Sequence, residues 1–384
     1  MPVSPDMAED LAAAVSTLYE QAELALIERI TRALTEGLDS PLWTEVKLQS
    51  IGHLRTAIED IISALQADAA GAIHTAVAEA YQRGAQAAVV ELGALATTAP
   101  APPPGTQAVD RLAGALVRET GGVHQRILRQ GLDVYRQVIA EASSAPLLGA
   151  STRRDAAARA LGKFADRGVT GFVDRTGRAW NLTSYVEMST RSALGRAAVE
   201  AHTERLGAAG IDLVMVSDAP EECDRCKPWE GKILRREGPA GADTVEVEHA
   251  TEDEEMVTVR VAGSLPEARA AGLMHPNCRH SISIYLPGVT QRRPKPPSRA
   301  TYEQTQQQRY LERQVRTWKR KAAAAVDDAA RKRANARVRE YQGRIRELVA
   351  DTGLPRKSRR EQIDVAARPA TAEQPARPAR QAVR

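Results

Sequence analysis

Cys223 and Cys226 are spaced as Cys-x-x-Cys, and further along the chain His275-Pro276-Asn277-Cys278-Arg279-His280 sets two imidazoles around a third cysteine. The 384-residue chain has three cysteines, all in these two short motifs, which is not the scatter expected of small buried hydrophobes. Thiolates and imidazoles in short paired spacings are the donor set of a closed tetrahedral zinc site. Cys223 and Cys226 make the first pair. In the second, Pro276 and Asn277 suit the central positions of a type I turn, which brings His275 and Cys278 to one side. The spacing therefore predicts Cys223, Cys226, His275 and Cys278 as ligands of a structural zinc. His280 competes for the fourth place, because residues two apart on a strand share a face; outside the ligand set it could donate a hydrogen bond to a ligand. Four protein ligands leave no position for water, so such a metal adds folding free energy rather than hydrolytic chemistry. The bland alternative is three thiols lying together as small apolar groups. Trp229, just past Cys226, is placed to cover the knuckle, although a lone Trp more often belongs simply to a core.

Two catalytic readings compete with a structural one. His202-Thr203-Glu204 ahead of Pro220 and Cys223-x-x-Cys226 is reminiscent of a zinc deaminase, in which the Glu shuttles protons beside an open zinc. Against it, His202 falls near the C-terminal end of its predicted helix, Pro220 is not adjacent to Cys223, and His275 and Cys278 are left without a role. A metal-dependent nuclease would need His280 or His249 beside acidic or Asn ligands, and no spacing completes that set. Gly-rich phosphate loops, Walker motifs and Ser-His-Asp patterns are not present in the sequence.

The elements that must position these residues follow from periodicity. Leu11, Val15, Leu18, Ala22 and then Leu24, Ile27, Ile30 and Leu34 mark a first long helix, ended by Gly37 and Ser40-Pro41. Ile51 to Leu65 predicts a second helix, Ile73 to Ala80 a third, and Leu112 to Ile139 further helix beyond a Pro-rich linker at 97–105. After a helix at 154–165 and a turn-rich stretch comes a helix over 183–206. A strand at 211–217 then leads to the first cysteine pair. Thr244 to Val247 and Val257 to Val261 predict a β-hairpin with the acidic tip Glu252-Asp253-Glu254-Glu255, followed by a short helix over 264–271 that delivers His275. Ile282, Ile284 and Leu286 alternate as a strand. Beyond a second Pro-rich linker at 291–298, two amphipathic stripes predict a helical hairpin bent near Ala324 to Asp328. From Leu354 onward the Pro-, Ala- and Arg-rich sequence predicts disorder.

The expected fold is therefore mainly α with a small α/β zinc-knuckle module. A helical domain covers 1–150, the α/β module with its Cys/His knuckle and acidic hairpin insertion 151–290, a basic helical arm 291–353, and a disordered basic tail 354–384. At 43% apolar and 4% aromatic residues, the core must be built from Ala, Leu, Val and Ile. No run of eighteen or more apolar residues suggests a membrane span, and the acidic N-terminus does not read as a secretory signal. Three cysteines make no disulfide framework; metal-bound thiolates in a reducing compartment fit better. The net charge of +4 conceals a polarity: residues 291–384 hold 25 Lys and Arg against 10 Asp and Glu, whereas residues 1–290 hold 28 against 39. Such an arm is drawn to phosphate or to an acidic protein surface.

Tyr185 to Arg191, the strand ending Val216-Ser217-Asp218, Cys223-x-x-Cys226-x-x-Trp229-Glu230-Gly231-Lys232 and Ala271 to His280 together resemble the tailed-phage minor capsid protein 2 family, a relative of the Mu F-like minor head proteins. The specific part of the resemblance runs from Gly177 to Pro287; Tyr302 to Arg320 resembles the family's charged helix. The related Mu F-like motif often ends in Cys where this chain has His280, which keeps the fourth ligand open. The resemblance implies a non-enzymatic virion protein in the head interior near the portal, made in the host cytoplasm. Its implied partners are the portal protein and other capsid components. Head assembly, and DNA packaging or ejection, are the roles implied, with packaged DNA as a further partner through the arm 291–384. A metal-dependent enzyme acting on nucleic acid is the alternative.

Overall fold

The computed structural model describes residues 3, 5–93, 106–149, 151–170, 172–173, 179–219, 223–275, 278, 280–292 and 300–361. The linker expected at 97–105 and residues 362–384 of the expected tail lie outside them.

Six helices build the main body: α1 (Glu9–Thr35), α2 (Trp43–Gln49), α3 (Ile51–Leu92), α4 (Thr106–Leu147), α5 (Arg153–Arg167) and α6 (Leu182–Ala208). One core of Ala, Leu, Ile and Val side chains, with Trp43, Tyr19, Tyr135 and Phe164, runs through all six, so it is shared across position 150. The second and third predicted helices are a single one, α3. The gap between their apolar stripes is bridged by Ala69, buried with too small a side chain to register in the large-residue periodicity. By length and composition alone α3 could cross a membrane; in this fold its apolar face packs against α1, α4 and α6.

Local caps set the helix starts. Asn181 accepts from the Ser184 N–H at 3.0 Å to begin α6, and Asp327 accepts from the Ala330 N–H at 2.7 Å to begin α9 (Asp328–Thr352). Capping boxes open α7 (Leu265–Ala270) through Ser264 and Glu267, and α8 (Tyr302–Ala323) through Thr301 and Gln304.

A two-stranded ribbon, β1 (Phe172–Val173) with β2 (Ala179–Trp180), precedes α6. The α/β part is a five-stranded mixed sheet made of β3 (Leu213–Val216), β4 (Ile233–Arg235), β5 (Asp243–Glu248), β6 (Met256–Ser264) and β7 (Ile282–Ile284). Its order is β5-β6-β4-β3-β7, with the β4–β6 pair parallel and the others antiparallel. The predicted acidic hairpin is the β5–β6 pair at its edge, register Val245 opposite Val259. One face of the sheet joins α7 and the ends of α3 and α6 in a second core that contains Cys226 and Cys278.

The C-terminal arm is a hairpin of α8 and α9 with its own small core of Leu311, Val315, Val338 and Ile345. Its basic residues are anchored into the acidic body. Arg316 lies 3.5 Å from both Glu20 and Glu187, Arg320 lies 3.6 Å from Glu23 and donates to the Ala165 carbonyl at 2.9 Å, and Lys321 reaches Asp166 at 2.6 Å. The beginning of the tail departs from the predicted disorder. Leu354 is buried, Gln308 donates to the Pro355 carbonyl at 3.0 Å, Arg356 pairs bidentately with Glu361, and Lys357 and Arg360 both pair with Glu9. Composition could not show this, because what orders the segment is a carboxylate on α1, remote in sequence.

Candidate metal centre

The first cysteine pair sits on a tight turn after β3. The N–H groups of Cys226 and Lys227 donate to the Cys223 carbonyl at 3.1 and 3.0 Å, and the chain returns to the strand through the Gly231 N–H, which donates to the Val216 carbonyl at 3.0 Å. The second pair follows α7. Leu273 N–H donates to the Ala268 carbonyl at 2.9 Å, and Cys278 N–H to the His275 carbonyl at 2.8 Å, the bond that closes a four-residue turn. Both turns meet at the edge of the second core, against which Cys223, Trp229 and Met274 pack.

Five donor side chains converge as two triads sharing Cys226: Cys223, Cys226 and His275, and Cys226, Cys278 and His280, the donor atoms of each lying within 4.8 Å of one another. Cys223 Sγ is 3.0 Å from His275 Nε2, Cys226 Sγ is 3.5 Å from Cys278 Sγ, and Cys278 Sγ is 3.3 Å from His280 Nδ1. Zinc bonds of about 2.3 Å to sulfur and 2.0 Å to nitrogen give tetrahedral edges of about 3.5–3.8 Å; these three pairs stand at or slightly inside that spacing, so each triad fits three corners of a zinc site, while no four of the donors lie within 4.8 Å of one another among the described residues.

The electrostatics suit metal ligation. The hydrogen bond from Cys226 holds the Cys278 thiol down to about 4 against its burial, with His280 helping, while the same bond and burial push Cys226 far up. A divalent cation held by both sulfurs would take the place of the hydrogen bond between them. Burial lowers His275. For His280, burial acts downward but is outweighed by the Cys278 sulfur and the Glu230 carboxylate, which raise it. Glu230 stands 2.9 Å from His280 Nε2 and also accepts from the Ala219 N–H at 3.1 Å. Sequence reading did not single out its role; no spacing rule links it to His280, and only its place beside Trp229 hinted at the site.

The residues of the catalytic alternatives lie elsewhere. His202 is fully buried with Nε2 3.1 Å from Glu91, whose carboxylate also accepts from the Ile284 N–H at 3.0 Å, so the pair ties α6 to α3 and β7. Glu204 accepts from the Tyr81 hydroxyl on α3. His249 Nδ1 accepts from the Glu252 N–H at 3.1 Å and organises the tip of the acidic hairpin.

Comparison with known proteins supplies a family. The family described as Phage minor capsid protein 2 matches residues 3–350. A structural protein of Lactococcus phage LL-H is 26% identical over 231 residues, covering 57% of this chain and 58% of that protein. A structural protein of Lactococcus phage mv4 is 36% identical over 101 residues, covering 24% of this chain and 82% of that protein. The chain thus spans well under two thirds of the LL-H protein's length. No solved structure matches.

Proposed function

Because the chain belongs to the phage minor capsid protein 2 family, we propose that it is a non-enzymatic virion component that sits at the portal inside the head and assists head assembly. The observation that carries this reading is the extent of the family match, which begins at residue 3 and takes in both helices of the arm almost to the end of α9. The two structural proteins of Lactococcus phages point the same way. The test is an amber mutation in the gene, with virions examined by immunoblot and electron microscopy. Loss of the chain should reduce the yield of DNA-filled heads, and the wild-type chain should co-purify with portal rings. A chain absent from purified virions sinks the proposal.

Zinc is proposed as the knuckle's resident ion, held by Cys223, Cys226, Cys278 and His275. Its role there is structural, joining the turn after β3 to the turn after α7. A second reading of the fourth ligand has its own observation. A metal-binding histidine usually donates its other ring N–H to a carboxylate, and His280 is so placed, with Nδ1 toward Cys278 and Nε2 on Glu230.

Contact with packaged DNA is proposed for the outer face of α9. The cations of α8 and 356–360 that pair with the body are engaged, whereas Lys332, Arg333 and Arg339 are exposed on α9. Replacing these three by Gln in the full chain should weaken DNA binding and lower its salt slope by about one for each phosphate no longer neutralised. Unchanged affinity and slope would remove the arm from the proposal.

A further inference from the structure

Beside the knuckle a cleft of ≈ 620 Å³ opens between one face of α6 and the α7 segment, reaching as far as His275. Gly195, Val199 and Thr203 from α6 and Ala270 and Gly272 from the other side leave it open. Four arginines line it, and two have their charge answered. Arg191 pairs with Glu9 at 3.4 Å and Glu187 at 3.5 Å, and Arg236 pairs with Glu237 and with Asp212 at 3.6 Å. The guanidinium groups of the other two, Arg196 on α6 and Arg269 on α7, make no hydrogen bond or ion pair among the described residues. Arg269 is half-buried, and Arg196 is the principal charge acting on it. Glu200 offsets Arg269 in part, but it also pairs with Arg111 on α4. The hydroxyls of Ser192 and Thr203 donate to the helix carbonyls of Met188 and Val199 and so do not serve the pair.

A half-buried guanidinium that shares a cleft with a second, while the neighbouring carboxylates are ion-paired to other arginines, is an arrangement that an anion stabilises. Guanidinium groups that line one cleft from two elements, α6 and α7, can serve the oxygens of a tetrahedral oxyanion, as in bidentate arginine–phosphate contacts. We infer that this cleft is a phosphate-binding site, with Arg196 and Arg269 as its two anchors and a phosphomonoester, pyrophosphate or nucleic-acid phosphodiester as the class of ligand. The site is separate from the exposed cations of α9 and stands without the portal or zinc readings.

The experiment uses the full chain, with Arg196→Gln and Arg269→Gln singly and together, probed with sodium pyrophosphate in thermal melts and with labelled single-stranded and duplex DNA in anisotropy titrations. Pyrophosphate should raise the wild-type Tm. Arg196 is exposed, so Arg196→Gln should leave the fold intact, and it should weaken that response roughly tenfold in apparent affinity, as expected for loss of a charge-assisted hydrogen bond; the double variant should abolish it. The Lys332→Gln/Arg333→Gln protein should respond like wild type. Parallel loss of DNA affinity with a salt slope reduced by about two identifies phosphodiester as the ligand; DNA affinity left intact assigns the site to a smaller phosphate-bearing molecule. A wild-type chain that responds to neither probe, or a double variant that responds as wild type does, overturns the inference.

Discussion

Glu20 and Glu9 lie on the same helix, face cations of the same C-terminal arm, and titrate in opposite directions. Burial pushes Glu20 up to about 7, with Arg316 opposing and Glu187 and Glu23 adding to the rise. Glu9 falls to about 2: burial acts upward, but Arg360, Lys357 and Arg191 outweigh it. For Glu20 the folded pKa exceeds the unfolded one, so its favourable contribution is complete below about pH 4.5 and is lost as pH rises through 7. Glu9 works the other way, stabilising above about pH 4.5 and losing its contribution as pH falls toward 2. Glu20→Gln should therefore raise stability more at pH 8 than at pH 5, by up to about 3 kcal/mol, read from urea denaturation at both values. An equal effect at the two pH values would show that Arg316 keeps Glu20 ionised throughout. At the metal centre, the fourth ligand is decided by comparing His275→Ala with His280→Ala in zinc stoichiometry and Tm. If His280 ligates, Glu230→Gln should weaken zinc binding roughly 10–100-fold; if His275 does, Glu230→Gln should leave the stoichiometry and affinity near wild type. The meeting of the two cysteine motifs was legible because paired spacing is written into sequence. Glu230 was not, because its part depends on where a separate turn places His280.

Between elements, the closest packing is the crossing of α3 and α6. A Cβ at Gly84 would stand 2.0 Å from the backbone carbonyl oxygen of Ala198, so Gly84 lets the two helices touch backbone to backbone. Gly84→Ala must force the helices apart or distort one, and should cost about 1–3 kcal/mol. Gly71, in the same helix, is exposed with nothing near its missing Cβ, and Gly71→Ala should stabilise by up to about 1 kcal/mol. Opposite signs from one chemical change on one helix, measured by urea unfolding, would separate crossing geometry from helix propensity. The same helix shows how much of the fold sequence conveys. Large apolar residues at helical spacing located α1 and α8, and alternating valines located the β5–β6 hairpin. The continuity of α3 was hidden because Ala69 fills the interface through smallness. The sheet order was likewise out of reach, since the parallel β4–β6 pairing joins strands that have β5 and the acidic tip between them in sequence.

Across the whole molecule, the charge polarity read from sequence becomes an internal fit between arm and body. The acidic N-terminal 290 residues and the basic arm are held together where Arg316, Arg320, Lys357 and Arg360 meet Glu20, Glu187, Glu23 and Glu9. Several of these groups are largely buried, so screening by salt should weaken the contact far less than it would a surface pair. Removing one side of such an arrangement leaves the other side's charges without partners, which typically costs about 3–5 kcal/mol per buried pair. A chain truncated after Thr290 should therefore melt well below the full chain at neutral pH. Its deficit should shrink on acidification to pH 5, because the orphaned carboxylates can then take up protons, and for Glu20 the protonated form is already the one that burial favours. Adding salt at neutral pH should restore much less than acid does. A truncated chain that melts with the full chain, or one rescued by salt as fully as by acid, would mean that the arm rests on the body through exposed charges alone. It would then be free to move away from the body.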